Sequence, residues 1–174
     1  MKKYARAGLQ RFLVLFLIDL STRKVETAGI ASVANGIWMS QMGRNLTDAV
    51  DGMLTGKRYL IHDRDPLFTT AFLNMLADGG VKSVKLPPRS PNLNAHAERF
   101  VRTIKESCLE RMILFGEESL TALHHFVAHY HIERNHQGLA NRIISPDPAE
   151  LRTTGAVQRR GRLGGMLNYY YRAA

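Results

Sequence analysis

The sequence holds a single cysteine, Cys108, so no intramolecular disulfide can be built from it. That fits a reducing compartment, and on a helix such a cysteine reads as a small core filler rather than a nucleophile. Long hydrophobic runs are also missing. The run Phe12–Ile18 (FLVLFLI) follows Met1-Lys2-Lys3 and faintly resembles a secretion signal, but it ends at Asp19, with Arg23 and Lys24 close behind. It has no small-residue cleavage site after it and falls far short of the ~20 residues that a membrane helix needs. A buried strand is expected there, with no membrane partner and a cytoplasmic location. Acidic residues are scarce, 15 Asp+Glu against 24 Lys+Arg, giving a formal charge of +9 and a pI near 10.1. Such an excess serves solubility, or binding to nucleic acid. No internal repeat, coiled-coil heptad or Gly-rich phosphate loop is present.

What is present suits one domain with a core: 174 residues, 45% of them hydrophobic. Residues 11–19 read as a continuous apolar strand, and KVETAGIAS as its hairpin partner across the turn Ser21-Thr22-Arg23. Asn35 is placed to cap a helix reaching about Leu54, with Ile37, Met42, Leu46, Val50 and Leu54 as its apolar stripe. A short strand, YLIHD, ends at Asp63. Pro66 then fits the first turn of a helix closed by Gly79-Gly80, and a strand follows over Val81–Leu86. After a Pro-rich loop, a helix is expected from Asn92 or Asn94 to about Arg111, its buried side supplied by Phe100, Val101, Ile104, Cys108, Leu109 and Met112. Beyond Gly116 a further helix covers Glu117 to Tyr130. The order β-β-α-β-α-β-α-α predicts an α/β fold, one sheet with helices packed on it. Residues 151–174 are rich in Gly, Arg and Tyr and have no helical period. They read as a basic tail able to touch phosphates and stack on bases, after a core spanning residues 1–150.

The candidate chemistry lies between Tyr59 and Lys105. Asp63 terminates an apolar run, and Glu98 opens a basic helix, with residues 64–97 between them. Carboxylates on separate rigid elements suit a hard divalent cation, which takes oxygen ligands. Arg64, Arg89, Arg99, Arg102 and Lys105 surround them, as a polyanionic substrate requires. The combination points to metal-assisted phosphodiester chemistry. Glu98, Arg102 and Lys105 fall on one helical face, which by itself would also suit a solvated salt-bridge ladder. His124, His125, His129, His131 and His136 offer a rival, zinc-like site, but no H-E-x-x-H motif accompanies them, and structural roles are expected.

The strings IDLSTRKVETAGI, YLIHDRDPLFT, VKSVKLPPRSPNLNAHAERFVRTIKE and HYHIERNHQGL, in this order, resemble the retroviral-integrase-like core of bacterial DDE transposases over about residues 8–148. The resemblance implies a ribonuclease-H-like mixed sheet flanked by helices, and two divalent ions, Mg²⁺ or Mn²⁺, held by Asp, Asp and Glu. By matching motif, Asp63 (in preference to Asp65) stands for the second acid and Glu98 for the third. Lys105 matches a DNA-contacting lysine, Arg102 shares its face, and Arg64 joins them as a phosphate contact. DNA is the implied partner, with self-association, and DNA integration or transposition the implied function.

One part of the pattern is not matched. The family's first Asp lies on a first strand that precedes a hairpin, here best matched by Ala7-Gly8-Leu9, and no acid occurs before Asp19. Asp19 matches a second-strand position that is not a metal ligand in this family. The expectation is a core with most of its first central strand missing, impaired in DNA cleavage and strand transfer. The alternative is a non-enzymatic DNA-binding or dimerisation remnant.

Overall fold

The computed structural model describes residues 12–111 and 118–173, except for the side chains of Pro91 and residues 118–120. The expected hairpin at Ala7-Gly8-Leu9, and the positions of Met112 and Gly116, lie outside the described residues. The architecture is mixed α/β: β1 (Leu13–Ile18), β2 (Val25–Ala31), α1 (Gly36–Leu46), β3 (Tyr59–His62), α2 (Thr70–Asp78), β4 (Lys82–Lys85), α3 (Ala95–Ser107), α4 (Glu118–Ile132), β5 (Val157–Arg162) and β6 (Leu167–Arg172). The described residues fall into two compact units, one formed by residues 12–17 and 27–98, the other by residues 18–26, 99–111 and 118–173.

Among the described residues the strands form three two-stranded sheets, β1-β2, β3-β4 and β5-β6, rather than the one sheet expected. Apolar periodicity tells which face of a strand is buried, and it is silent about which backbone edges pair. In the unit of residues 12–17 and 27–98, side chains rather than a continuous ladder gather the strands. Leu15 and Leu17 of β1, Ala28 of β2 and Leu60 of β3 pack against a buried cluster of Met39, Leu46, Leu54, Phe72, Leu76 and Val81. The β3–α2–β4 segment is a parallel βαβ unit, with Tyr59 opposite Lys82 and His62 opposite Lys85. A helix between two strands is the connection that parallel pairing requires.

Helix α1 begins where the sequence places it. Asn35 is its N-cap, and the side-chain oxygen accepts a hydrogen bond from the Trp38 N–H (2.9 Å). It ends at Leu46 instead of Leu54. Asp48 is the reason: its carboxylate accepts from the N–H groups of Val50 and Asp51, which pulls the chain into a turn, and those bonds hold its pKa below the usual value. Of the expected stripe, Met42, Leu46 and Leu54 are buried, with Met39 beside them, while Ile37 (81% exposed) and Val50 (93% exposed) face solvent. Helix α2 likewise starts later than Pro66. Thr69 is its cap, accepting from Phe72 N–H, while the Asp65 side chain and carbonyl accept from Leu67 N–H and Phe68 N–H in the preceding turn. Gly80, at φ +78, makes the left-handed step out of the helix that a side chain would resist.

In the other unit, α3 buries Phe100 and Ile104, with Cys108 buried just beyond its end. Leu109, expected inside, is 37% exposed, because α3 stops at Ser107 and a short 3₁₀ turn re-aims it. Phe126 and Tyr130 of α4 meet Phe100, the Phe100–Tyr130 rings edge to face at 5.1 Å.

The last segment departs most from the sequence reading. Residues expected to form a tail make an antiparallel hairpin, β5-β6, paired from Val157↔Arg172 to Arg162↔Leu167. Its turn uses Leu163 (φ 51), Gly164 (φ 64) and Gly165 (φ 89). The signal that could have found it is alternation: Arg160 and Arg162 share one face with Leu167, Tyr169 and Tyr171.

Candidate functional site

Asp63 is the residue after β3, in the position where a strand hands its chain to a loop. The loop is held from three directions. Asp63 Oδ1 accepts a hydrogen bond from the Asp65 N–H (3.1 Å), the Leu86 N–H extends the β3-β4 ladder to His62 O (2.9 Å), and Arg64 Nε donates to Leu86 O (3.0 Å). Arg64, proposed from the sequence as a phosphate contact, thus also ties the Asp63 loop to the end of β4.

His62 was not singled out by the sequence. It is buried, its ring 4.3 Å from that of Phe68, and both nitrogens are committed. Nδ1 lies 2.7 Å from the Asp63 carbonyl, which can only accept, so Nδ1 carries the proton. In the neutral ring Nε2 then accepts from the Ser83 hydroxyl, also at 2.7 Å. The pair fixes the peptide of Asp63 against β4. A histidine ending an otherwise apolar run was the signal for it.

Glu98 occupies the first turn of α3, where the helix dipole favours a carboxylate, and its side chain is exposed. Arg102 and Lys105 follow on the same helix, both exposed, while Phe100 and Ile104 take the buried side. The salt-bridge ladder that this spacing would allow is not formed: among the described residues no ion pair joins Glu98 to Arg102 or Lys105. The three side chains face solvent as one acid and two cations.

Asp63 and Glu98 belong to the same compact unit. As exposed oxygen donors on ordered elements they fit the chemistry of a hard divalent ion. Their number does not reach a three-acid set. Among the described residues, no group of three or more His, Cys, Asp and Glu side chains is arranged to hold a metal. Asp19 is engaged elsewhere, its Oδ1 accepting from Ser21 N–H, Ser21 Oγ–H and Thr22 N–H to form the β1-β2 turn, with Arg23 at φ 64. That is the role of a turn-forming acid.

The histidine-rich helix is structural where its contacts are seen. His131 Nε2 accepts from Val25 N–H (2.9 Å), and His136 Nε2 donates to Tyr130 O (2.8 Å). Burial, with neighbouring cations, lowers the pKa of both. His129 Nδ1 donates to Glu133 Oε2 at 2.9 Å. Glu133, which sequence reasoning passed over, is the centre of this unit's electrostatics. Its side chain is fully enclosed, and Arg162 (2.7 Å) and Arg160 (3.3 Å) reach it from β5. Burial would raise its pKa, but the hydrogen bonds from Arg162 and His129 and the charge of Arg162 outweigh this and bring it down to about 2. Arg160 also pairs with Glu150 and lies over the Tyr171 ring. The cluster anchors the hairpin to the end of α4.

Among the described residues, no helix is long and apolar enough to cross a membrane. No match to the chain is found among curated proteins. Residues 79–143, which include Glu98, Arg102, Lys105 and the histidine-rich helix but not Asp63, match the family model of the integrase core domain.

Proposed function

We propose that this chain is a ribonuclease-H-like DNA-processing core of the DDE transposase type, in which Asp63 and Glu98 bind a divalent ion beside a phosphodiester. The observation that carries the reading is the first half of α3: within the integrase core match, Glu98 stands in the first turn with Arg102 and Lys105 exposed along the same helix. The hydrogen-bonded loop that presents Asp63 at the end of β3 supports it further. A bound Mg²⁺ or Mn²⁺, two ions in the intact family, would supply Lewis-acid polarisation of the phosphodiester and activation of water or a DNA 3′-hydroxyl. The chain's own part is to hold that charge on Asp63 and Glu98 and to position phosphate with Arg64, Arg102 and Lys105. Residues 1–150 form the core in this reading, and self-association follows from the need to act on paired DNA ends.

The test is nicking of supercoiled plasmid in Mn²⁺ or Mg²⁺ by the full chain. Nicking that falls by roughly 100-fold or more in both Asp63→Asn and Glu98→Gln is the expected result. Equal nicking by wild type and both variants would reject the assignment.

A second reading, DNA binding without strand chemistry, is favoured by the carboxylate count among the described residues, which stops short of three. It predicts plasmid binding that weakens in Arg102→Ala and Lys105→Ala, with no metal-dependent nicking in any variant.

A further inference from the structure

The C-terminal hairpin sorts its side chains into two faces of opposite electrostatic character. On one face Arg160, Arg162, Tyr169 and Tyr171 are half-buried and Leu167 is buried. The two arginines there are neutralised by Glu133 and Glu150, and Tyr169 and Tyr171 stack at 5.8 Å. The register puts Val157↔Arg172, Arg159↔Tyr170 and Gly161↔Asn168 on the opposite face, and every one of these six residues is exposed. Tyr170 is 62% exposed, a large aromatic surface left in water beside two cations. No acid is among the six.

We propose that this outer face is a nucleic-acid contact surface, in which Arg159 and Arg172 bind backbone phosphates and a base stacks on Tyr170. The chemistry favours a single strand. A base face is available for stacking only where the strand is unpaired, and an aromatic platform flanked by cations is the device that holds such a strand without reading its sequence. Arg172 lies two residues from Tyr170 on β6, about 7 Å along the strand, and Arg159 stands directly across from Tyr170 on β5. The two charges therefore bracket the ring. Arg172 is further steadied by a hydrogen bond to Gly155 O (2.9 Å). The Glu133 anchor, on the inner face, keeps the ribbon ordered before any strand arrives, so little ordering entropy is spent on binding.

The inference rests on the reading of the chain as a DNA-acting core for the identity of its polyanion, and on none of that reading's carboxylates. It is tested by fluorescence anisotropy of the full chain with a labelled single-stranded DNA, the matching duplex and an RNA of the same sequence. The variants are Tyr170→Ala, Tyr170→Phe, Arg159→Ala and, as the α3 comparison, Arg102→Ala with Lys105→Ala. Tyr170→Ala should weaken single-strand binding by roughly 5- to 100-fold, Tyr170→Phe should retain it, and Arg159→Ala should lower the slope of log affinity against log salt by about 1. Because both side chains are exposed, the circular dichroism melt should not move. Wild-type affinity in Tyr170→Ala and Arg159→Ala, with loss in the α3 variant, overturns the hairpin surface and leaves the proposed function standing. Tighter binding of the duplex, unaffected by Tyr170→Ala, overturns the stacking. Failure of wild type to bind any of the three overturns both readings.

Discussion

Replacing Glu133 by glutamine should unlock the hairpin from α4 at a cost that can be worked from the site. The carboxylate is wholly enclosed and accepts from Arg162 Nε at 2.9 and 3.0 Å and from an Arg162 terminal nitrogen at 2.7 Å, besides the His129 and Arg160 contacts. Its pKa falls from 4.5 to about 2, which corresponds to about 3 kcal/mol of preferential binding of the charged form. Glutamine keeps the shape but turns an amide donor toward other donors and leaves Arg162, only 19% exposed, without its counter-charge. Removing one partner of such a pair costs about 3–5 kcal/mol. For a chain of this size that lowers Tm by about 8–14 °C. The pH dependence has a definite sign. A carboxyl whose folded pKa lies below its unfolded value contributes stability that is complete above about pH 4.5 and is lost progressively as pH falls towards about 2. Wild type should therefore show a steep acid limb in urea denaturation followed by circular dichroism, and Glu133→Gln a flatter one. Hydrogen exchange at residues 157–172 should quicken in the variant more than exchange in α2. Glu133→Leu combined with Arg160→Leu and Arg162→Leu should recover much of the loss, since apolar replacement of a whole buried ionic cluster is often nearly neutral. A Glu133→Gln melt within about 0.5 kcal/mol of wild type, with superimposed acid limbs, would refute this account of the cluster.

Other outcomes follow from single contacts. Asn35→Ala removes the α1 cap and should cost about 1 kcal/mol in thermal unfolding, whereas Asn35→Ser should cost little. Leu76→Ala, at a position with no exposure in the packed cluster, should cost about 2–5 kcal/mol in urea unfolding. His131 and His136 have folded pKa values below the ordinary 6.5, so their stability is present above about pH 6.5 and lost as pH falls through the folded values. His131→Gln should flatten that part of the stability profile.

The elements that could be read from the sequence were those with local signatures: the β1 apolar run, the Asn35 cap, the β3–α2–β4 order and the Gly79-Gly80 stop. The errors arose where a short-range polar contact or a distant partner decided the outcome. Asp48 turned the chain before Leu54, so Val50, extrapolated onto the buried stripe, faced solvent, while Met42, Leu46 and Leu54 were buried as expected. Strand pairing was illegible because periodicity marks faces and not edges. The hairpin was missed because its ordering depends on Glu133, far away in sequence, and a run of Arg, Gly and Tyr looks solvated until an enclosed acid is placed beneath it. Asp63 and Glu98 were proposed from motif and spacing. His62 and its bonds to Asp63 and Ser83 were not, since the pairing of β3 with β4 that brings Ser83 to the ring is a tertiary fact.

The most direct test of the central claim is a Mn²⁺ titration followed by thermal unfolding, with wild type, Asp63→Asn and Glu98→Gln in parallel. The two carboxylates are exposed, so neither substitution should move the metal-free melt by more than about 0.5 kcal/mol. If Asp63 and Glu98 hold the ion together, Mn²⁺ raises the Tm of wild type in a saturable way and of neither variant. Equal metal-induced shifts in all three proteins, or a shift abolished by only one substitution, would contradict a shared site.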